Sequence, residues 1–228
     1  MQKLWKLKEQ ADINDIKQLS AALNVDMAIA NLLVQRGIKT YAAAKTFFRP
    51  KLSDLHDPFL MKDMDKAVDR LERAIQQNER IMVYGDYDVD GTTSVALMYT
   101  FLSKRVSQIE YYVPDRYMEG YGISRIGIDY AASQKVSLIV VLDCGIKAVE
   151  KIAYAKELGI DFIICDHHNP DDQIPDAVAV LDPKQPGCNY PYKDLSGCGV
   201  GFKLIQAYCF KNNLPQDVDI TISCVLLY

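Results

Sequence analysis

Apolar residues recur at helical spacing through the first third of the chain. Ile13, Ile16, Leu19 and Leu23 follow Asp12, and Ile29, Leu32 and Leu33 follow Asp26. Each aspartate is therefore a candidate helix N-cap. Gly37 stops the second helix. Thr40 opens a short third helix, ended by Pro50. After a loop over 51–59, Val68, Leu71 and Ile75 share one face of a helix expected over 64–78.

From residue 80 the pattern changes. A short, continuously apolar run at 80–84 and further strand-like runs at 108–113, 137–142, 160–165 and 177–181 alternate with helical stretches near 92–104, 124–133, 147–158 and 200–211. Strands apolar throughout, separated by helices, predict a parallel sheet sandwiched by helices: an α/β fold with a small helical N-terminal region. The expected division is a helical region over 1–78 and the α/β domain over 79–228. No internal repeat is visible.

Composition narrows the classes. The chain has 228 residues, 49% hydrophobic and 25% charged, which is enough for a domain-sized core and excludes disorder. No apolar run approaches the roughly 18–20 residues of a membrane span. The opening residues lack the apolar stretch of a secretory leader. A cytoplasmic protein without a membrane partner, and a monomer, is expected. The net charge of −4, from 26 basic and 30 acidic residues, argues mildly against a nucleic-acid binder. That argument weakens if several acids are metal ligands, because bound cations change the local balance. The six cysteines form no C-x-x-C pair, and Cys188 and Cys198 are poorly spaced for zinc. Buried thiols are expected.

The chemistry sits after the strands. The first strand leads into Gly85-Asp86-Tyr87-Asp88-Val89-Asp90-Gly91, the third into Asp143-Cys144-Gly145, and the fourth into Asp166-His167-His168. Loops at the carboxyl ends of parallel strands form the binding crevice of such sheets. Asp86, Asp88, Asp90, Asp143, Asp166, His167 and His168 should therefore converge. Crowded carboxylates raise one another's pKa, and two divalent cations relieve that repulsion. Aspartate oxygen with neutral imidazole suits manganese, iron or zinc, and an oxygen-richer site accepts magnesium. Such an arrangement suits two metals that activate water for phosphoryl displacement. Each piece alone has a plainer reading. The triple-aspartate loop resembles a calcium loop without its downstream glutamate, or a polar turn. Asp143 alone fits a helix cap, and the histidine pair alone fits a solvated loop. His56 lacks an acidic pattern and reads as structural or surface.

These motifs resemble the DHH phosphoesterase superfamily and, within it, the RecJ family of bacterial single-strand-specific exonucleases. Supporting it are Thr92-Thr93-Ser94 after the first motif, Leu32-Leu33-Val34-Gln35-Arg36-Gly37, Phe47-Phe48-Arg49-Pro50, Asp115-Arg116-Tyr117, Glu119-Gly120-Tyr121-Gly122 and Leu181-Asp182-Pro183-Lys184. The resemblance covers roughly residues 1–215. It implies metal-dependent hydrolysis of single-stranded DNA from the 5′ end, releasing 5′-mononucleotides, in recombination and repair. The implied cofactors are two divalent ions, Mn²⁺ or Mg²⁺, and the implied partners include a repair helicase or a single-strand-binding protein. By resemblance, Asp90 and His167 bind one metal, Asp88 the other, and Asp143 bridges them. Asp86 completes the cluster or orients a ligand, Asp166 supports the histidines, and His168 contacts the scissile phosphate. Gly197 and Gly199, ahead of a helix, match a glycine motif able to present N–H groups to a phosphate. A packing turn is the plainer reading of that motif.

The family's fourth motif, a strand ending in a metal-binding aspartate, has no convincing match. Asp219 precedes the apolar run 220–228 instead of following it. The expectation is a C-terminally truncated or frameshifted chain, with an unfinished last strand. Other superfamily members act on short RNA, cyclic dinucleotides or pyrophosphate and carry a histidine upstream in the first motif, where this chain has Asp86. A non-catalytic scaffold fits poorly with three intact motifs, and an inactive fragment remains an alternative.

Overall fold

The computed structural model describes residues 4, 6 and 8–214, and the chain divides between Leu55 and His56 into two compact units. The first unit holds α1 (Ile13–Leu23), α2 (Met27–Val34) and α3 (Tyr41–Phe48). The three expected caps are in place. Asp12 accepts from the N–H groups of Asn14 and Asp15, Asp26 from Ala28, and Thr40 from Ala43. Ile16 and Leu19 of α1 pack with Ala30, Leu33 and Val34 of α2 into a small core.

The second unit runs α4 (Met64–Gln76), β1 (Ile81–Gly85), α5 (Val89–Leu102), β2 (Ile109–Tyr112), α6 (Arg125–Ser133), β3 (Leu138–Leu142), α7 (Val149–Glu157), β4 (Asp161–Cys165), β5 (Ala179–Leu181) and α8 (Gly197–Lys211). The strands form one parallel sheet in the order β2-β1-β3-β4-β5. Ile81 lies opposite Leu138, and Leu138 opposite Asp161. Alternate side chains face opposite layers. Val83, Val140, Ile163 and Leu181 join the core built with α4, α5 and α8. Tyr84, Val141, Ile164 and Val180 join a second core built with α6 and α7. Because both faces are covered, the central strands β1 and β3 are buried and apolar throughout, whereas the edge strand β2 carries Glu110 and exposes Tyr111.

Three differences from the sequence reading have physical reasons. The helix expected to close the N-terminal region, α4, lies in the second unit, where it contacts α8 and β5. Its spacing shows that it has an apolar face, not what covers that face. Its Arg70 is buried and donates from Nε to Asp161 Oδ2 at 2.6 Å and from Nη2 to Glu79 Oε2 at 2.7 Å. Helices α5 and α8 each begin three residues before the expected starts at 92 and 200, inside the candidate motifs. Their caps are Asp88 and Ser196. Asp219 and the apolar run 220–228 lie outside the described residues. No helix among the described residues is long and apolar enough to cross a membrane.

Candidate metal centre

The strand order reverses direction at β1, which has β2 on one side and β3 on the other. Crossovers leave opposite faces at such a point, so the loops after β1 and β3 part and leave a crevice. Asp86, Asp88 and Asp90 follow β1, and Asp143 follows β3. Asp166 follows β4, where its N–H donates to Leu181 O at 3.0 Å.

Backbone amides orient most of these carboxylates. Asp88 Oδ1 accepts from Gly91 N at 2.9 Å, as the N-cap of α5. Asp90 Oδ2 accepts from Gly197 N at 2.7 Å and Oδ1 from Cys198 N at 2.8 Å, so the amino end of α8 holds this carboxylate. Asp86 is fully buried, with Oδ1 accepting from Gly122 N at 3.3 Å and Oδ2 unpartnered. Burial pushes its pKa up despite those amides.

Asp143 differs. It is 1% exposed, in the left-handed region at φ 61°, and its Oδ1 has no hydrogen-bond partner. His167 Nε2 lies 3.2 Å from that oxygen and 3.7 Å from Asp90 Oδ2, without hydrogen-bond alignment to either. Burial, followed by Asp90 and Asp88, pushes the Asp143 carboxyl up to about 8. A buried carboxylate oxygen and an imidazole nitrogen that face each other unbonded are two donors aimed at the same space. A divalent cation fits there, because it accepts both lone pairs and offsets the buried charge.

Asp166 and His168 form a separate pair. Asp166 Oδ1 lies 2.7 Å from His168 Nδ1 and accepts from His167 N at 2.7 Å, while Oδ2 accepts from Ile146 N at 2.9 Å. Burial alone would raise the Asp166 pKa, but the His168 bond and these amides hold it below the usual carboxylate range. The same bond raises the pKa of His168. His168 Nε2 sits 3.3 Å from the Tyr121 hydroxyl, which also lies 3.3 Å from Asp143 O. Ligand atoms of Asp143, His167 and His168 lie within 4.8 Å of one another. The three aspartate loops and both histidines are thus brought together.

Gly197 and Gly199 are placed differently from the expectation. Gly197 N–H is taken by Asp90 and Gly199 N–H by Ser196 Oγ at 3.0 Å, so neither amide is free for a phosphate. Gly197 serves close packing instead. A Cβ there would lie 2.4 Å from Asp143 Oδ1, which only glycine avoids. Gly91 is constrained similarly, since its Cβ would lie 2.4 Å from Asp86 O. His56 is structural: its carbonyl accepts from Lys203 Nζ at 2.8 Å. Cys144, Cys165, Cys188, Cys198 and Cys209 are buried free thiols.

Two residues had no assigned role in the sequence. Asp182 follows β5, is fully buried, and has an unpartnered Oδ2, with burial pushing its pKa up to about 6. Lys184 Nζ donates to His167 O at 2.6 Å and so fixes the histidine loop. The signal was present, since Asp182 ends a strand as the other acids do.

Residues 80–227 match the model of the DHH family, N-terminal domain. The chain belongs to the DHH family. It is 44% identical, over 94% of its own length, to the single-stranded-DNA-specific exonuclease RecJ of Bacillus subtilis strain 168, and spans 27% of that relative. Identity to the Escherichia coli RecJ is 41% over 64% of this chain and 26% of the relative. Among solved structures, RecJ in complex with Mn²⁺ from Thermus thermophilus aligns with a TM-score of 0.71 at 26% identity. That alignment covers 91% of this chain and 29% of the neighbour. An exonuclease RecJ bound to manganese aligns at 0.62 with 30% identity, covering 68% of this chain and 39% of the neighbour. The chain thus corresponds to the N-terminal part of its RecJ relatives.

Proposed function

We propose that this chain is the metal-binding core of a hydrolase that cleaves phosphodiester bonds in single-stranded DNA. The observation that carries the reading is the unpartnered Asp143 Oδ1 facing His167 Nε2 at 3.2 Å, beside Asp90. Manganese in the RecJ neighbours supports a divalent cofactor, Mn²⁺ or Mg²⁺. His167 and Asp90 would hold one ion, Asp88 the other, with Asp143 shared. Such ions supply a nucleophilic water near neutral pH and neutralise charge on the phosphate.

The chain's own residues then have distinct tasks. Asp90 is oriented by the amino end of α8, so its direction does not depend on the ligand. Asp166 holds the His168 ring through Nδ1 and leaves Nε2, beside the Tyr121 hydroxyl, to donate to a phosphate oxygen. Asp86 supports the Tyr121 loop through Gly122 N. The polarity of attack from the 5′ end, release of 5′-mononucleotides, a repair and recombination setting in the cytoplasm, and action as a monomer beside a helicase or single-strand-binding protein complete the reading.

The test is Mn²⁺-dependent release of mononucleotides from single-stranded DNA with an accessible 5′ end. Asp88→Ala is expected to abolish release while leaving the circular dichroism spectrum unchanged. Equal release by the folded variant refutes the assignment. A substrate blocked at its 5′ end tests the polarity separately.

A further inference from the structure

The net charge of −4 hides an uneven division. Residues 1–55, the first unit, hold 9 basic and 5 acidic residues, a net +4, whereas residues 56–228 hold 17 basic and 25 acidic, a net −8. The unit that carries the metal centre therefore repels a polyanion, and two divalent ions offset only part of that charge. The first unit attracts one.

The aromatic side chains of the first unit stand out as well. Helix α3 buries only Ala44, while Tyr41, Phe47 and Phe48 are each more than half exposed. Single exposed rings are ordinary, but three on one helix of 8 residues form a patch. We propose that α3 and the residues directly after it form a stacking platform for an unpaired nucleic-acid strand, on the first unit rather than on the one that holds the metal centre. The choice of a nucleic-acid strand rests on the function proposed above; the platform rests on the side chains of the first unit alone.

Cations and rings alternate as such a strand requires. Tyr41, Lys45 and Phe48 stand at i, i+4 and i+7, which places a cation between two rings on one face of the helix. Arg49 and Lys51 follow the helix end, and the helix itself contains no acid. Lys39 is held by Asp15 at 2.8 Å, whereas Lys45, Arg49 and Lys51 have no ion-pair partner among the described residues. Cations of this kind release counterions when they meet phosphates. The Phe47 and Phe48 rings meet edge to face, with centroids 5.0 Å apart and planes at 85°, which fixes the attitude of the pair. Ring faces accept any base, and a duplex keeps its base faces stacked inside, so the platform selects an unpaired strand with little regard to sequence. An apolar protein surface is a poorer match, because it would desolvate the three cations without a counter-charge.

The test uses the whole chain in chelator and the fluorescence anisotropy of a labelled oligothymidylate of about 15 nucleotides. Tyr41→Ala and Phe48→Ala are each expected to weaken binding about fivefold or more. Lys45→Ala should flatten the dependence of log affinity on log salt by about 0.7, the share of one phosphate on a single strand. Binding to duplex DNA should not respond to the two ring variants. Ultraviolet crosslinking to the oligothymidylate, mapped by mass spectrometry, should mark Tyr41, Phe47 or Phe48. Circular dichroism checks each fold, and Lys45→Ala decides the matter if a ring variant does not fold. No binding by the wild type at low salt, wild-type affinity in all three variants, equal losses on duplex DNA, or no crosslink within 41–51 would each overturn the platform. So would a dimer of the free chain that Phe48→Ala dissolves, since the patch would then be a contact between copies. The Mn²⁺ melting shift reads the metal centre separately. A chain that gains stability from Mn²⁺ but binds the oligomer alike in all variants keeps the function and loses the platform. One that binds through α3 without responding to Mn²⁺ keeps the platform and loses the metal-dependent reaction.

Discussion

Replacing Asp143 by asparagine should stabilise the metal-free chain and abolish its response to metal. The carboxyl is 1% exposed, lacks a partner on Oδ1, and is pushed from 3.8 up to about 8 by burial and then by Asp90 and Asp88. At pH 7 this costs folding at most about 4 kcal/mol, about 1.4 kcal/mol for each pH unit above 3.8, because the folded chain keeps a proton that the unfolded chain releases. The sign follows from proton counts. Between about pH 4 and pH 8 the folded chain holds the Asp143 proton more tightly than the unfolded chain does. Metal-free stability therefore falls as pH rises through that window, and below it Asp143 contributes nothing. Relaxation of the neighbouring acids reduces the ceiling, so Asp143→Asn should gain about 1–3 kcal/mol at pH 7 in chelator. Urea denaturation at pH 5, 6, 7 and 8 measures this, and the variant should lose most of the slope. In Mn²⁺ at about 100 times the Kd the wild type should gain about 2.7 kcal/mol, and the variant little. The variant's advantage is then cancelled or reversed. If Asp143→Asn is less stable than wild type in chelator at pH 7, buried charge is not what metal relieves.

Gly197→Ala should cost about 1–3 kcal/mol by urea denaturation, because its Cβ would meet Asp143 Oδ1 at 2.4 Å and push α8 away. It should also lower the Mn²⁺ melting shift, whereas Gly199→Ala, whose Cβ would lie 3.3 Å from Leu195 Cδ2, should do neither to that extent. Equal effects at the two positions would exclude close packing on Asp143 as the cause. Arg70→Met should cost about 2–4 kcal/mol, since it leaves Glu79 and Asp161 without their buried guanidinium. Its Mn²⁺ shift should match wild type, because the network lies at the opposite end of the strands from the acids, and a lost shift would contradict that separation.

The acids were legible because each ends an apolar run. A strand that stops at Asp143 or Asp166 must place that residue at the sheet's carboxyl edge, whatever the rest of the fold does. The helix caps at Asp12, Asp26 and Thr40 were legible for a similar local reason. What depends on distant partners was not. The pattern of α4 shows an apolar face but cannot reveal that α8 and β5 cover it. The glycines at 197 and 199 read as a cradle for an external anion. The anion in the structure is internal, the Asp90 carboxylate, more than one hundred positions earlier in the chain. Asp182 also follows an apolar run, 177–181, but without a second acid or a histidine beside it the residue carried no chemistry of its own.

The donors around the acids also show where the demand for cations lies. Asp88 is held by an amide of its own helix, Asp90 by two amides of α8, and Asp166 by Ile146 together with the amides of both histidines. Each of these carboxylates has its direction set by backbone that cannot move away. Asp143 Oδ1 has nothing comparable, although it is more deeply buried than Asp90. An unpartnered buried carboxyl is among the costliest features a fold can keep, because it must either ionise without a partner or hold a proton that water would take. The surrounding sequence makes no attempt to relieve it. Gly197 removes its own side chain to bring the helix against Asp143, and His167 Nε2 lies 3.2 Å from the oxygen without hydrogen-bonding it. The folded chain therefore concentrates its unfavourable electrostatics at one oxygen, and a divalent ion at that oxygen returns the largest gain in stability available at the site. Affinity for metal and instability without it are two readings of the same buried carboxylate.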